Sequence, residues 1–329
     1  MDLVTGATGF LGRHLTRRLA ADGRGVRALV RTGTDLRRIP AEVTELVWGD
    51  LDDAAALESA TQGIDRVFHT AARVTGRGSR AAFEASNVRG TEALLETSLR
   101  NGVRRLVHVG SAGIYGADAA RGPITEATQI DPQIELRGDY AWSKAESDRR
   151  VRAFAERNTS LGVVIVRPGL LYGRGLPPFI ARLHFPVPRG HGRRLIIGSP
   201  TALLPLTHVE NACEALLLAA ERGRPGAVYN VVDGETPQGE YLDLLTREGV
   251  VSVRPTYVPG AFITPLAWGC EVVSRLSGRR LPLSRYKLKR ATESLRYDTR
   301  AARDDLGWAP RVDLPSGVRG LRANGADAS

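Results

Sequence analysis

The first twelve residues, Met1-Asp-Leu-Val-Thr-Gly-Ala-Thr-Gly-Phe-Leu-Gly12, run a short apolar strand straight into three glycines and then an amphipathic stretch. Few folds accommodate that order. A strand ending at Val4 and a turn through Gly6 and Gly9, without Cβ atoms, lets backbone N–H groups approach a phosphate closely. A helix predicted from Phe10 to Ala21 points its positive end at that anion. Gly12, one turn in, lets the helix lie close to the sheet. The spacing is Gly-x-x-Gly-x-x-Gly rather than the commoner Gly-x-Gly-x-x-Gly, so the triplet is weak on its own. Its strand–turn–helix setting makes Gly6, Thr8, Gly9, Phe10, Leu11 and Gly12 the expected pyrophosphate contacts.

The rest of the chain keeps the same rhythm. Strands are predicted at 25–31, 44–49, 65–70, 103–110 and 161–166, with helices between them, which implies right-handed crossovers and a parallel sheet. The second strand ends at Arg31, with Arg37 and Arg38 nearby. In a dinucleotide fold that place meets the adenosine ribose, where an acid favours the free 2′-hydroxyl and an arginine a 2′-phosphate. NADP(H) is therefore favoured and NAD(H) left open, against the plainer reading of Arg31 as a solvated arginine. Asp50 and Leu51 follow the third strand, with Asp50 placed to reach an adenine amino group, and Asp52 or Asp53 caps the next helix. The fourth strand ends in Thr70, Ala71 and Ala72, small residues that leave space for a ligand against the backbone. Asn87 falls within a long helix predicted over 80–101, either as a surface amide or as a site residue.

The fifth strand delivers Ser111 to the sheet's carboxyl edge. The helix after the following polar loop begins near Asp139 and carries Tyr140-Ala-Trp-Ser-Lys144. Residues four apart share one helical face, and an ammonium beside a phenol is expected to draw its pKa down from about 10 into the working range of an acid/base. With eight tyrosines and only three lysines, such a pair arises by chance about 0.07 times in the chain, so its position here carries weight.

After 161–166 comes Arg167-Pro168-Gly169, and then the alternation stops. Residues 176–199 are rich in proline and glycine and read as a candidate substrate lid. A return to the sheet follows, with strand 206–209, helix 210–221 and strand 227–232. The expected fold is α/β, a doubly wound parallel sheet (Rossmann) with a smaller, mostly C-terminal substrate lobe. Residues 1–170 plus 200–233 form the dinucleotide-binding domain, 171–199 plus 234–321 the lobe, and 322–329 a flexible tail.

Charge and cysteine bound the rest. The formal net charge is +10, but all save three of the 46 basic residues are arginines scattered along the chain, without a nucleic-acid motif. No nucleic-acid partner is expected. Two cysteines make no disulfide framework, and no Cys/His spacing suggests a metal. A strand at the N-terminus leaves no room for a signal peptide, and 258–276 is interrupted by Pro265, Gly269 and Glu271, so a cytoplasmic protein with little membrane contact is expected.

On these residues the chain resembles the extended short-chain dehydrogenase/reductases, the NAD-dependent epimerase/dehydratase family. The resemblance runs through Thr5 to Gly12, Asp50-Leu51, His69 to Ala72, Asn87 to Thr91, Ser111, Tyr140/Lys144, Arg167 to Gly169, His208 to Asn211 and Tyr297 to Trp308. It implies that Tyr140 is the proton donor/acceptor, that Lys144 lowers its pKa and holds the nicotinamide ribose, and that Ser111 bonds the substrate oxygen. Pro168, Ala71 and Ala72 would line the cofactor's path. Sugar-nucleotide 4,6-dehydratases place an Asp-Glu pair after the hydroxyl residue, where this chain has Ala112-Gly113. Nucleotide-sugar epimerases usually set an arginine before the His-Val segment, where this chain has Leu203, Leu204 and Pro205. The region 259–287 looks like hydroxysteroid dehydrogenase and dihydroflavonol reductase relatives, or else is a plain core helix with a basic surface. The resemblance thus implies an NAD(P)-dependent oxidoreductase acting on an apolar alcohol or ketone, with a nucleotide-sugar epimerase using bound NAD as the alternative. Relatives commonly dimerise through the two long helices beside the sheet, so a homodimer is expected.

Overall fold

The computed structural model describes residues 1–74, 79–116, 122–181, 183–187, 192–277, 281 and 283–325. Parts of the expected lid (182 and 188–191), of the loop after Ser111 (117–121) and of the expected tail (326–329) lie outside them. Seven strands form the central sheet: β1 Asp2–Thr5, β2 Val26–Val30, β3 Glu45–Trp48, β4 Arg66–His69, β5 Arg105–Val109, β6 Gly162–Pro168 and β7 Val228–Val231. Their order is β7-β6-β5-β4-β1-β2-β3 and every neighbouring pair is parallel. The chain winds outward from β1 in both directions, so a crevice opens at the carboxyl ends of β1 and β4.

The strands alternate their side chains between two apolar layers, because successive Cβ atoms point to opposite faces. Val4, Val107 and Val164 meet α1 (Phe10–Ala21) and a helix over Val209–Arg222, while Leu3, Leu106 and Val163 meet the helices over Ala54–Thr61, 80–100 and Asp139–Arg157. We call these four helices, in chain order, α2 (Ala54–Thr61), α3 (80–100), α4 (Asp139–Arg157) and α5 (Val209–Arg222). Leu15 and Leu19 of α1 are fully buried, each worth about 1.5–3 kcal/mol relative to an exposed side chain. Asp53 caps α2 by accepting from the Ala56 N–H at 3.0 Å, as expected of one of the two aspartates there.

Two elements differ from expectation. The strand expected at 206–209 spans Leu206–His208 and does not join the central sheet, pairing instead in parallel with Leu170–Tyr172 as a separate two-stranded sheet. The helix over 80–100 is continuous, but Glu84–Arg89 winds as a π-helix between α-helical ends. The wider turn carries Asn87, whose carbonyl accepts from Thr91 Oγ1 at 2.8 Å.

At the amino edge of the sheet, Asp2 is fully buried and accepts from Arg66 (2.6 and 2.9 Å) and Arg24 (2.8 and 3.0 Å). At the carboxyl edge lie separate small clusters, among them one of Tyr172, Tyr241, Leu242, Leu245 and Val318 and one of Ile197, Ala267 and Leu288. The chain then returns to the sheet. Ala302, Leu306 and Trp308 pack in the same layer as α1 and α5, and Trp308 Nε1 donates to the Asn211 carbonyl at 3.0 Å.

Candidate active site

Gly6 takes φ +78°, and a Cβ there would stand 2.7 Å from the Ala71 backbone. The turn is therefore pressed onto the loop leaving β4 and only glycine fits. A Cβ on Gly12 would lie 2.1 Å from the Gly6 carbonyl oxygen, so α1 sits directly on the turn. Gly9 begins α1, and no side chain caps its first turn. The first-turn N–H groups of Phe10, Leu11 and Gly12 are thus available to an anion, next to a half-buried Thr8. This cradle fits a dinucleotide pyrophosphate.

Its neighbours are pinned by hydrogen bonds. Thr70 turns both its N–H and its hydroxyl onto the Thr5 carbonyl (3.1 and 2.8 Å), fixing where Ala71 and Ala72 depart. Asn87 is buried and clamps Arg73, accepting from its N–H at 2.7 Å and donating to its carbonyl at 3.0 Å, while also donating to Ser143 Oγ at 2.9 Å. Asn87 is therefore not a surface amide but a buried clamp on the loop leaving β4. Behind it, His69 lies between Thr5 Oγ1 (2.7 Å) and Thr91 Oγ1 (2.8 Å). Because Thr91 gives its proton to Asn87, His69 must donate from Nε2 and accept at Nδ1. Burial pushes this imidazole down to about 3, so it is neutral.

Asp50 is exposed and accepts from the Leu51 N–H at 2.8 Å, while Leu51 is buried against Gly90. Arg31 stands exposed just beyond β2, its carbonyl accepting from the Thr34 hydroxyl at 2.7 Å. Arg37 is instead tied to Asp35 at 2.8 Å.

Ser111 follows β5 and caps the turn Ala112–Ile114, its Oγ accepting from the Gly113 N–H at 3.0 Å. Tyr140 and Lys144 stand one turn apart at the start of α4. Lys144 Nζ donates to the Val109 carbonyl at 2.5 Å, two residues before Ser111, which brings helix and strand end together. Burial raises the Tyr140 phenol above its ordinary value, opposite to the lowering expected beside Lys144. Burial lowers Lys144 itself to about 8, against an opposing pull from Asp148.

Beneath Lys144 lies a charge network that sequence reasoning missed. Arg167, fully buried, donates to both oxygens of Asp148 (2.8 and 2.5 Å) and to Tyr115 OH, which donates to Asn230 at 2.9 Å. Asp148 follows Lys144 by four residues, which was the available signal. Pro168 is buried at the end of β6, opposite Val231. Across the edge, Tyr297 OH donates to the Ala112 carbonyl at 3.1 Å. A cavity of about 290 Å³ lies beside it, lined by Leu203, Leu204, Pro205, Leu295, Tyr297 and Arg303 among others.

A seven-stranded, doubly wound parallel sheet with a glycine cradle at its switch point defines a dinucleotide-binding protein of the Rossmann class. The chain belongs to the NAD dependent epimerase/dehydratase family, whose model matches residues 3–232, and it is an enzyme of the extended short-chain dehydrogenase/reductase type. It is 30% identical to the 4-hydroxy-2-methyl-3-oxo-4-farnesyl-3,4-dihydroquinoline-1-oxide ketoreductase of Stigmatella aurantiaca, covering 98% of this chain and 96% of that one. It is also 30% identical to the 2-alkyl-3-oxoalkanoate reductase of Stenotrophomonas maltophilia, over 98% and 99% of the two chains. Among solved structures, MoeE5 in complex with UDP-glucuronic acid and NAD is similar at a TM-score of 0.74 and 27% identity, over 100% of this chain and 99% of that one.

Proposed function

We propose that this chain is an NADP(H)-preferring oxidoreductase that interconverts a secondary alcohol and a ketone on a fairly apolar small molecule. The observation that carries the substrate reading is the apolar run Leu203, Leu204 and Pro205 on one wall of the cavity beside Tyr297, which is bonded to the backbone next to Ser111; Glu235, Thr299 and Arg303 line the same cavity. Leu203, Leu204 and Pro205 stand where nucleotide-sugar epimerases usually set the arginine that clamps a diphosphate, and Ala112-Gly113 offers no acid for elimination. The two ketoreductase relatives support the same direction.

Gly6, Thr8, Gly9, Phe10, Leu11 and Gly12 would hold the pyrophosphate, Asp50 and Leu51 the adenine, Arg31 a 2′-phosphate, and Thr70, Ala71, Ala72 and Pro168 the remainder of the cofactor. When bound, the nicotinamide supplies or accepts the hydride. In the reducing direction Tyr140 gives its proton to the substrate oxygen. Ser111 fixes that oxygen, and Lys144 contributes the positive charge that favours the phenolate left behind. Residues 1–170 and 200–233 serve as the cofactor domain, 171–199 and 234–321 as the substrate lobe, and a homodimer would form through α3 and α4.

The test is reduction of medium-chain and cyclic ketones followed at 340 nm. Wild type should consume NADPH, and Tyr140→Phe should lose about 10²–10⁴ in kcat with unchanged melting. Equal rates in the two proteins would overturn the assignment. The epimerase reading keeps the support of the match to MoeE5 with its UDP-sugar and NAD. Cofactor that survives gel filtration, with no net change at 340 nm during turnover, would favour it.

A further inference from the structure

We propose that the helix over Gly260–Ser277, α7, is a docking face for an anionic lipid surface, lying on the bilayer rather than crossing it. (The helix over Gln238–Arg247 is α6, and the one over Arg285–Thr292 is α8.) A surface helix ordinarily turns its apolar stripe inward and its polar face to water. In α7 the pattern is doubled. Ile263 and Ala267 face inward, packing with Ile197 and Leu288. At about 100° per residue, the opposite arc from Trp268 round to Leu266 spans about 160° and contains no charged residue. Phe262 is 76% exposed, Leu266 61%, Trp268 57%, Val273 51% and Leu276 84%. Among the described residues, five of the twelve most exposed large apolar side chains thus stand on this one helix. Such a patch marks a contact surface.

The charge around it selects the partner. Residues 260–293 carry seven basic side chains and two acidic ones, a net excess of five positive charges; each acid is held by one arginine, Glu271 accepting from the Arg285 backbone and guanidinium at 2.8 Å and Glu293 from Arg290 at 3.0 Å. Arg285 and Lys289 line a shallow groove with Gly260, Ala261 and Thr264, along the flank of the apolar arc. Apolar side chains with a basic rim are the chemistry of an interfacial helix on anionic headgroups. A second copy of this chain would bring the same positive rim against itself. Among the described residues no helix is long and apolar enough to span a membrane, which leaves the in-plane arrangement. α8, which packs against α7 through Leu288, reaches the segment just before α4: Tyr286 accepts from Arg137 at 2.8 Å and donates to Asp131.

The experiment is flotation of the full chain with vesicles of phosphatidylcholine containing phosphatidylglycerol, and with phosphatidylcholine alone. Wild type should float with the anionic vesicles, less so at high salt, and Trp268 emission should shift to the blue, a shift absent in Trp268→Phe. Leu266→Glu/Leu276→Glu should reduce partition about tenfold or more while NADPH binding and melting stay unchanged. Trp268 emission in the otherwise native protein reports the contact even where the double variant folds poorly. Wild type that stays with the protein fraction, or partition that ignores the glutamates, would overturn the proposal. So would a concentration-dependent dimer abolished by the glutamates, which would assign the face to a second copy.

Discussion

At the amino edge of the sheet, charges close on one another: Asp2 is buried beneath Arg66 and Arg24, and Arg24 continues to Asp65 at 3.1 Å. At the carboxyl edge the polar groups are held but left open. Gly9 starts a helix without a side-chain cap, Arg31 is exposed, and among the described residues Ser111 is bonded within its own turn. The difference teaches where this molecule keeps stability and where it keeps function. A substitution at the closed edge should move melting and spare binding, and one at the open edge should move binding.

The largest effect on stability is expected at the closed edge. Asp2→Ala leaves Arg66 buried beside no carboxylate and should cost about 3–5 kcal/mol, read by urea unfolding, with the dissociation constant for NADPH unchanged. Burial alone would raise the Asp2 carboxyl, but its bonds and charges with Arg66 and Arg24 outweigh that and hold it below its usual value. The ionised form therefore favours folding at pH above the unfolded value near 3.8, and the contribution is lost as pH falls through the folded value. Wild-type melting should drop across that acid window, and Asp2→Ala should flatten the drop.

Gly12→Ala is intermediate. Its Cβ must push the Gly6 carbonyl away, an overpacking cost of about 1–3 kcal/mol, and NADPH affinity should fall about tenfold or more because the same turn forms the cradle. A cofactor titration with unchanged affinity would detach the cradle from binding. Smaller again is Asn87→Ala, which leaves the Arg73 backbone without its two bonds at about 1–2 kcal/mol. It should raise the KM for cofactor more than it lowers kcat. A loss confined to kcat would place Asn87 on the substrate side instead.

Much of this was legible in the sequence because the signals are local. The helix Phe10–Ala21 matches its expected bounds, and the four-residue spacing of Tyr140 and Lys144 put both on one face of α4. What stayed hidden depends on crossovers. Lys144 meets Val109, Arg167 meets Asp148 and Tyr115, and Tyr115 meets Asn230 across 115 positions of chain. None of those pairings has a period to read. Asn87 could be called either way until the π-turn of Glu84–Arg89 carried it inward. The region 259–287 reads either as a hydroxysteroid dehydrogenase-like lobe or as a plain core helix with a basic surface, because apolar composition does not say which arc of α7 the fold will cover.

Arg31→Ala has the smallest expected effect on stability, within about 0.5 kcal/mol, and it tests the open edge most directly. NADPH and NADH are titrated by thermal shift into wild type and variant. Wild type should bind NADPH reversibly and more tightly than NADH, and the variant should be weakened about tenfold for NADPH alone. Protein that arrives loaded with NAD, through gel filtration and indifferent to Arg31, would contradict this and move the carboxyl edge to nucleotide-sugar chemistry.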